Sequence, residues 1–269
     1  MIDSINYEGG GARAIEFAPS KLQYNKHGVP VLSTKQIEEI AYELLQTHCP
    51  NVLHKPAATP VAEIILKLHE RTGLLFAMEN LGYAGKAKVL GKVCFNKKTL
   101  YLDTSLEQER KAAFRFTAAH EIGHWVLHRY NYKKWKFETH LPIVDGLQDD
   151  DSTLCRLDQR TQSDWLEFQA NVFAASLVMP REMFVVALKQ TQFHIGVQKN
   201  IGHIYLSSAP SSHRDYGTII SQLSQIFQVS RASVRVRTKT LRLSKVKTKR
   251  KANLVELIHS QFWHHCKIG

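Results

Sequence analysis

Apolar residues recur every three or four positions in several stretches of the chain, which is the spacing of one face of an α-helix. In residues 34–46 this face holds Ile37, Ile40 and Leu44, and residues 61–72 repeat the pattern with Ile64 and Leu68. The same spacing predicts further helices over residues 106–129, 164–178, 181–189, 218–228 and, near the end of the sequence, 254–262.

Three short segments between the second and third predicted helices are typical of strands. They span residues 74–78, 88–95 and 99–103, and residues 96–98 predict a tight hairpin between the last two. Ser105 and Gln108 have the spacing of a capping box that would begin the following helix. We therefore predict an α+β fold that is mainly helical, with a small three-stranded antiparallel sheet.

Polar, glycine-rich and charged stretches suggest how the chain is divided. Residues 207–212 are rich in serine and predict a linker. After it, two short helices around a tight turn, the second capped by Ser230, have the form of a helix-turn-helix. The predicted units are a flexible N-terminal arm (1–33), a main domain (34–206) with an inserted loop (130–162), a helix-turn-helix-like module (213–245) and a basic tail with a terminal helix (246–269).

The composition is that of an ordinary globular protein, with 43% hydrophobic and 22% charged residues in 269. No apolar run approaches the roughly 20 residues that a membrane-spanning helix needs, so we expect no membrane association. The first residues contain acids and glycines instead of a basic start and an apolar core, which favours a cytosolic protein. The four cysteines are far apart, which argues against a disulfide framework and a thiolate zinc site.

Positive charge is concentrated near the end of the sequence. Residues 231–251 contain ten Lys or Arg and no acid, which accounts for all but two of the net +12 charges. A nearly neutral body with one basic strip suggests a polyanionic partner, and the alternatives are a solvated tail or a module that packs against the main domain. The candidates for weak, salt-dependent nucleic-acid binding are Arg231, Arg235, Arg237, Lys239 and Arg242.

The sequence His120-Glu-Ile-Gly-His124 matches the HExxH pattern and lies inside a predicted helix. A spacing of four residues places both imidazoles on one helix face, where they can bind one metal ion. Glu121 points away from that face and can reach a metal-bound water without acting as a ligand. Neutral imidazoles suit zinc, and a catalytic zinc needs a third protein ligand beside an open position.

Glu167 is the best candidate for the third ligand because the other positions of its predicted helix are apolar nearly all round. A lone buried carboxylate is costly unless a cation compensates it. Asn171, one turn later, could orient a ligand, whereas His128 lies one turn too far along its helix to be a ligand and suits a supporting role. The competing carboxylates lie in the polar inserted segment, at Glu138, Asp145 and Asp149 to Asp151.

Residues 116–128 and 167–180, which carry these side chains, resemble the two signature segments of the ImmA/IrrE-type zinc metallopeptidases. The resemblance extends more weakly over residues 34–243. It implies one zinc ion per chain bound by His120, His124 and Glu167, with Glu121 as the catalytic base. It also implies a helix-turn-helix repressor as the protein substrate, whose cleavage would release stress-response or mobile-element genes. The long segment between His124 and Glu167 departs from the family pattern and suggests a lid or docking loop near the cleft.

The motif predicts peptide hydrolysis without a covalent intermediate, since Glu121 would take a proton from a zinc-activated water and pass it to the leaving amine. Candidates for stabilising the oxyanion are His128, His140, His203 and Tyr205, and the sequence does not discriminate among them. Two other hypotheses stay open. One is a DNA-binding regulator with a vestigial or structural metal centre, and the other is a toxin or effector protease that acts on other host proteins. The sequence does not indicate an oligomeric state.

Overall fold

The structure, a computed structural model, describes residues 23–25, 29–106, 111–130, 139–142, 161–207 and 209–246. Seven helices lie in these ranges: α1 (Thr34–His48), α2 (Val61–Thr72), α3 (Lys111–His128), α4 (Gln162–Val178), α5 (Arg181–His194), α6 (Pro210–Phe227) and α7 (Arg231–Thr240). The strands are β1 (Leu75–Glu79), β2 (Tyr83–Ala84), β3 (Ala87–Cys94), β4 (Thr99–Asp103), β5 (Thr139–Pro142), β6 (Ile204–Leu206) and β7 (Ser244–Val246). The fold is α+β and mostly helical, as the sequence predicts.

Local signals explain where most helices begin and end. Ser33 and Gln36 form a capping box at α1, and Thr161 and Asp164 form another at α4. Gly73 ends α2 with a left-handed φ of 71°, a conformation that costs glycine little. Ser230 caps α7 by accepting a hydrogen bond from the backbone N–H of Ser233, as predicted.

The main sheet is mixed, so the predicted three-stranded antiparallel sheet is wrong. Four strands lie in the order β1-β4-β3-β2, and β5 adds to β3 as a further strand. β3 and β4 form the predicted antiparallel hairpin, but β1 pairs with β4 in parallel, from Leu75 opposite Thr99 to Glu79 opposite Asp103. The connection through residues 80–98 is long enough for this parallel crossover, which a tight turn would not permit.

Three further sequence expectations need correction. Ser105 does not begin α3 but lies in the 3₁₀ helix Thr104–Leu106, and its N–H donates to the Asp103 carboxylate, while Gln108 lies outside the described residues. The inserted loop contains β5, and its residues 131–138 and 143–160 lie outside the described residues. The second half of the predicted linker, residues 210–212, is the start of α6, because Pro210 fits the first turn of a helix. The predicted terminal helix also lies outside the described residues.

The site-bearing helix α3 lies in the middle of the fold. It packs against β3 and β4 on one side and makes its most extensive contact with α4, which in turn packs on α1. All residues of α3 from Thr117 to His128 are buried, including its polar ones. The end of the predicted arm belongs to this body, since Val29 is fully buried and Leu32 is nearly so.

The last two helices are tied to the rest of the chain at several places. α6 packs on α5, and β7 pairs in parallel with β6. In α7, the buried guanidinium of Arg237 donates to the Glu38 carboxylate of α1 at 2.8 Å and to the Met179 carbonyl at 3.1 Å. We call this arrangement the Arg237 anchor. In the part of the chain that the structure describes, no single helix is long and apolar enough to cross a membrane, although α4 and α5, bent by 54°, reach that length and composition as a pair.

Candidate metal centre

The close approach of α4 to α3 depends on Gly123, the glycine of the HExxH motif. A Cβ atom there would lie 3.1 Å from Cδ1 of Phe173 and 3.2 Å from the carbonyl oxygen of Ala170. Such contacts are tighter than ordinary van der Waals packing, so a larger residue would push the two helices apart. Gly123 therefore allows α4 to bring Glu167 beside the two histidines.

The side chains of His120, His124 and Glu167 converge on one point. The Nε2 atoms of His120 and His124 lie 2.9 Å apart, and they lie 3.2 and 3.4 Å from the two carboxylate oxygens of Glu167. One potential ligand atom from each residue lies within 4.8 Å of the other two. Both histidine side chains are completely buried, while that of Glu167 is 23% exposed, so the centre opens towards solvent beside Glu167.

The protonation of this cluster fits a bound cation. The side-chain oxygen of Asn171 lies 3.0 Å from Nδ1 of His120 and accepts its proton, which leaves the Nε2 lone pair of His120 facing the cluster. Burial lowers the pKa of His120, while Glu167 and Asn171 act to raise it. Burial alone would raise the pKa of Glu167, but the contacts with His124 and His120 outweigh it and lower the pKa below its ordinary value.

Two nitrogens and one carboxylate oxygen are a donor set that zinc accepts, and three protein ligands leave a fourth position open. The residues present therefore fit a zinc ion of the catalytic kind. A structural zinc would need a fourth protein ligand, and the cysteines among the described residues, Cys49 and Cys94, are not part of the cluster.

Glu121 lies next to the cluster, completely buried, and both of its carboxylate oxygens lack a hydrogen-bond partner among the described residues. Burial raises the pKa of Glu121 well above its ordinary value, and the negative charge of Glu167 raises it further. Buried polar atoms are nearly always satisfied, so these oxygens are positioned for a water or a substrate group. A carboxyl group with a raised pKa is suited to accepting a proton near neutral pH.

Strand β3 covers Glu121 through Gly91, which sequence reasoning missed. A Cβ atom at Gly91 would lie 2.8 Å from Oε1 of Glu121 and 2.7 Å from Cγ2 of Thr117. The hydroxyl of Thr117 is also buried without a hydrogen-bond partner among the described residues. A lone glycine inside a strand pattern, which often marks close backbone approach, is the signal that could have identified this position.

His128 lies behind His124, away from the convergence point. Its Nδ1 lies 3.1 Å from Nδ1 of His124, and its Nε2 lies 3.0 Å from Oε1 of Gln169. His128 is completely buried, and burial lowers its pKa well below the ordinary value. Its position agrees with the supporting role and not with contact to a substrate oxyanion. Gln169, which the sequence analysis did not select, is a polar residue on an otherwise apolar helix, the same signal that identified Glu167.

The other candidates for oxyanion stabilisation lie in or next to strands β5 and β6. His203 and Tyr205 lie at β6, which packs on α6 and pairs with β7, and their rings are 6.5 Å apart. The backbone of His140 lies in β5 opposite Lys92 of β3. The competing carboxylates Glu138, Asp145 and Asp149 to Asp151 lie outside the described residues.

The five candidate cations for nucleic-acid binding separate into two groups. Arg231, Lys239 and Arg242 are exposed, and Arg235 is half-buried on the same face of α7 as Arg231 and Lys239. Arg237 is only 2% exposed and is held in the Arg237 anchor, so it is not available to a phosphate. We call the row of Arg231, Arg235 and Lys239 the α7 stripe.

Among known proteins, the chain matches one family over more than half of its length. Residues 70–239, which contain both signature segments, match the Peptidase M78 family, described as the IrrE N-terminal-like domain. No curated protein matches the chain in sequence. A solved structure described as a Mycobacterium tuberculosis transcriptional regulator is 13% identical, with a TM-score of 0.41 over 76% of this chain. This chain covers 51% of that protein, about half of its length. Because the family match extends over more than half of the sequence, the chain belongs to the Peptidase M78 family of metallopeptidases with an IrrE N-terminal-like domain.

Proposed function

We propose that this protein is a zinc-dependent endopeptidase that cleaves a helix-turn-helix transcriptional repressor and so switches on the genes that the repressor controls. The observation that carries the proposal is the convergence of His120, His124 and Glu167 beside the buried carboxylate of Glu121, which has no hydrogen-bond partner in the part of the chain that the structure describes. One zinc ion per chain would be held by these three side chains. When bound, zinc supplies a Lewis acid for the scissile carbonyl and for water.

The chain's own residues account for the proton transfers of the reaction. Glu121 takes a proton from the water whose oxygen attacks the scissile carbonyl carbon. As the C–N bond breaks, Glu121 returns that proton to the leaving amine nitrogen, which balances the addition of water across the peptide bond. Asn171 orients His120 through the hydrogen bond to its Nδ1. Because His120 and His124 are completely buried and Glu167 is 23% exposed, a substrate segment would approach the centre beside Glu167.

The alternative of a DNA-binding regulator with a vestigial metal centre is less favoured by the site. A vestigial centre has no requirement for Glu121, which is not a ligand in this arrangement and whose burial without a partner among the described residues is costly. A toxin or effector protease would use the same centre and would differ only in its substrate. The experiment must therefore discriminate among substrates as well as detect cleavage.

The test is to mix the purified zinc-loaded protein with the repressor encoded beside it, and separately with several unrelated unfolded proteins. We expect one or a few cuts in the repressor, and no cuts by the metal-free protein or the Glu121→Gln variant. Digestion of the unrelated proteins without preference for the repressor would favour the degradative or toxic protease. Equal cleavage by Glu121→Gln would show that the motif is not the catalytic centre.

We also propose that α6 and α7, the helices of the module predicted over residues 213–245, bind duplex DNA weakly through the α7 stripe. The supporting observation is that Arg231, Lys239 and Arg242 are exposed and Arg235 is half-buried, with no acid on α7. Phosphate contacts of this kind give affinity that falls steeply with salt. Replacing Arg231, Arg235 and Lys239 by Gln should weaken binding and flatten its salt dependence. Absence of wild-type binding at low salt would instead favour docking of an acidic protein.

A further inference from the structure

The guanidinium of Arg115 joins the metal-binding helix α3 to the turn between α6 and α7. Its Nη1 donates to the backbone carbonyl of Gln228 at 2.9 Å, and its Nη2 donates to Oε1 of the same residue at 2.9 Å. Because the guanidinium is planar, two such bonds to one residue fix the angle between the partners as well as their distance. Arg115 lies five residues before His120, about 7.5 Å along the helix axis.

The backbone conformation of Gln228 depends on support of this kind. Gln228 ends α6 with φ 50° and ψ 48°, in the left-handed region that residues other than glycine adopt rarely. Such conformations persist where the surrounding contacts determine them, and Arg115 holds both the carbonyl and the side chain of Gln228. The turn that orients α7 relative to α6 is therefore tied to α3. We call α6, α7 and this turn the α6–α7 unit.

The same arginine also reaches α4, through Thr59. Nε of Arg115 donates to the carbonyl of Thr59 at 3.2 Å, and the buried hydroxyl of Thr59 donates to the carbonyl of Leu177 at 2.8 Å in the last turn of α4. Directly after that turn, the carbonyl of Met179 accepts the hydrogen bond from Arg237 of α7. Both helices that supply metal ligands, α3 and α4, are thus joined to the α6–α7 unit.

We propose that the α6–α7 unit sets the relative position of α3 and α4 at the metal centre, and that Arg115 is the positioning residue through which it acts. This inference rests on the proposed metal centre but not on a substrate. Because the α7 stripe lies on the same unit, a polyanion bound there would be coupled to zinc binding, and zinc would change the affinity of the stripe by the same factor. The last two helices would then regulate the metal centre as well as bind a partner.

The first test compares Arg115→Met with Arg129→Met by measuring zinc affinity in competition with a chelator. Arg129 is a matched control because it is also half-buried on α3, lies five residues after His124, and donates to the carbonyls of Trp125 and Val126 of its own helix. We expect Arg115→Met to weaken zinc binding by roughly 3- to 30-fold, the size of coupling that residues outside a binding site transmit, and Arg129→Met to bind as the wild type does. Unchanged affinity in Arg115→Met, or an equal loss in both variants, would overturn the proposal.

A second variant separates positioning from stability. Gln228→Gly removes the Oε1 acceptor but keeps the backbone carbonyl, and glycine adopts the left-handed conformation readily. Its midpoint of denaturant unfolding should therefore stay close to that of the wild type. We expect its zinc affinity to lie between those of the wild type and Arg115→Met. Wild-type zinc affinity in Gln228→Gly would contradict the role of the turn.

A third measurement begins with the unmodified protein. Amide hydrogen exchange is followed with and without zinc, and then in Arg115→Met under the same conditions. We expect zinc to slow exchange at the amide of Val229, which donates to the carbonyl of Ser224, in the wild type but not in Arg115→Met. Zinc that binds without any effect on this turn would show that the two sites are independent.

These outcomes separate the inference from the proposed function. A wild type that binds no zinc would overturn the proposed metal centre, and this inference with it. Normal zinc binding without any effect of Arg115→Met would overturn this inference alone. None of the measurements uses a peptide, so a failure to cleave the repressor would leave all of them interpretable.

Discussion

The backbone of Gly91 in β3 lies directly against the carboxylate of Glu121 in α3. Any side chain at position 91 would have to occupy space 2.8 Å from Oε1 of Glu121, where a carbon atom cannot remain. The sheet therefore sets the position of the proposed base, although the two residues belong to different elements. This relationship makes position 91 the most sensitive test of the site that does not alter a ligand or the base.

Gly91→Ala should displace Glu121 and reduce peptide hydrolysis by roughly 100-fold, because misplacement of a reacting group by about 1 Å has effects of this size. Bound zinc should stay at the wild-type level, since no ligand is changed. The control is Gly217→Ala in α6, where a Cβ atom meets nothing within 4 Å. That variant should be fully active and slightly more stable, by about 0.5–1 kcal/mol. A fully active Gly91→Ala enzyme would contradict this prediction and show that Glu121 accommodates the added Cβ without losing its function.

Glu167→Ala should lose zinc while the fold is retained. The carboxylate is the one anionic donor in the cluster, and its removal leaves two neutral imidazoles to hold a dication. Elemental analysis of the dialysed protein measures the metal, and circular dichroism confirms the fold. Glu63→Ala, an exposed carboxylate on α2, is the matched control and should keep one zinc per chain. Undiminished zinc in Glu167→Ala would place the third ligand elsewhere.

Arg237→Ala should destabilise the protein by roughly 3 kcal/mol, measured from denaturant unfolding. The substitution leaves the Met179 carbonyl without its donor and removes one of the two cations paired with the Glu38 carboxylate, the other being Arg181. Arg231→Ala, on the exposed face of the same helix, should change stability by less than about 0.5 kcal/mol. If the two variants were equally stable, the Arg237 anchor would not contribute to folding.

Asp103 should make the protein sensitive to acid. Burial alone would raise its pKa, but hydrogen bonds from Ser105, Lys88 and Leu81 outweigh burial and hold the pKa well below its ordinary value. A lowered pKa in the folded state stabilises the protein above the unfolded-state value, near pH 4, and this stabilisation is lost as the pH falls below it. The free energy of unfolding of the wild type should therefore fall between about pH 4 and 2 more steeply than that of Asp103→Asn. Parallel pH profiles for the two proteins would contradict this account.

Helix positions were predictable because their signals are local. Periodicity and Gly73 defined α2, and Ser230 marked the start of α7. The convergence of His120, His124 and Glu167 was equally predictable, since HExxH needs only helical spacing and Glu167 is conspicuous on an apolar helix. The pairing of the strands was not predictable, because alternation of apolar and polar residues along a strand indicates which face is buried but not which strand lies beside it. No local signal in the sequence therefore indicated that β1 and β4 pair in parallel.

The missed contacts involve residues far apart in sequence. Gln169 bonds to Pro30 across 139 positions, and no local pattern predicts such a contact. The burial of Arg237, in contrast, could have been predicted from the local sequence. Arg237 shares a helix face with Val234, Thr238 and Leu241, all of them buried, so its direction towards the core could have been inferred from spacing.

The Arg237 anchor and the pairing of β6 with β7 hold α7 against the rest of the chain. The α7 stripe and the candidate metal centre therefore keep a fixed orientation relative to each other. If the α7 stripe binds a DNA duplex as proposed, the position of the protein along the duplex determines which side of the DNA the opening of the candidate metal centre faces. Moving that position by about five base pairs, half a helical turn, would rotate the cleft to the opposite face of the DNA. Cleavage of a repressor bound to the same duplex should then rise and fall with a period of about ten base pairs as the spacing between the two sites is lengthened.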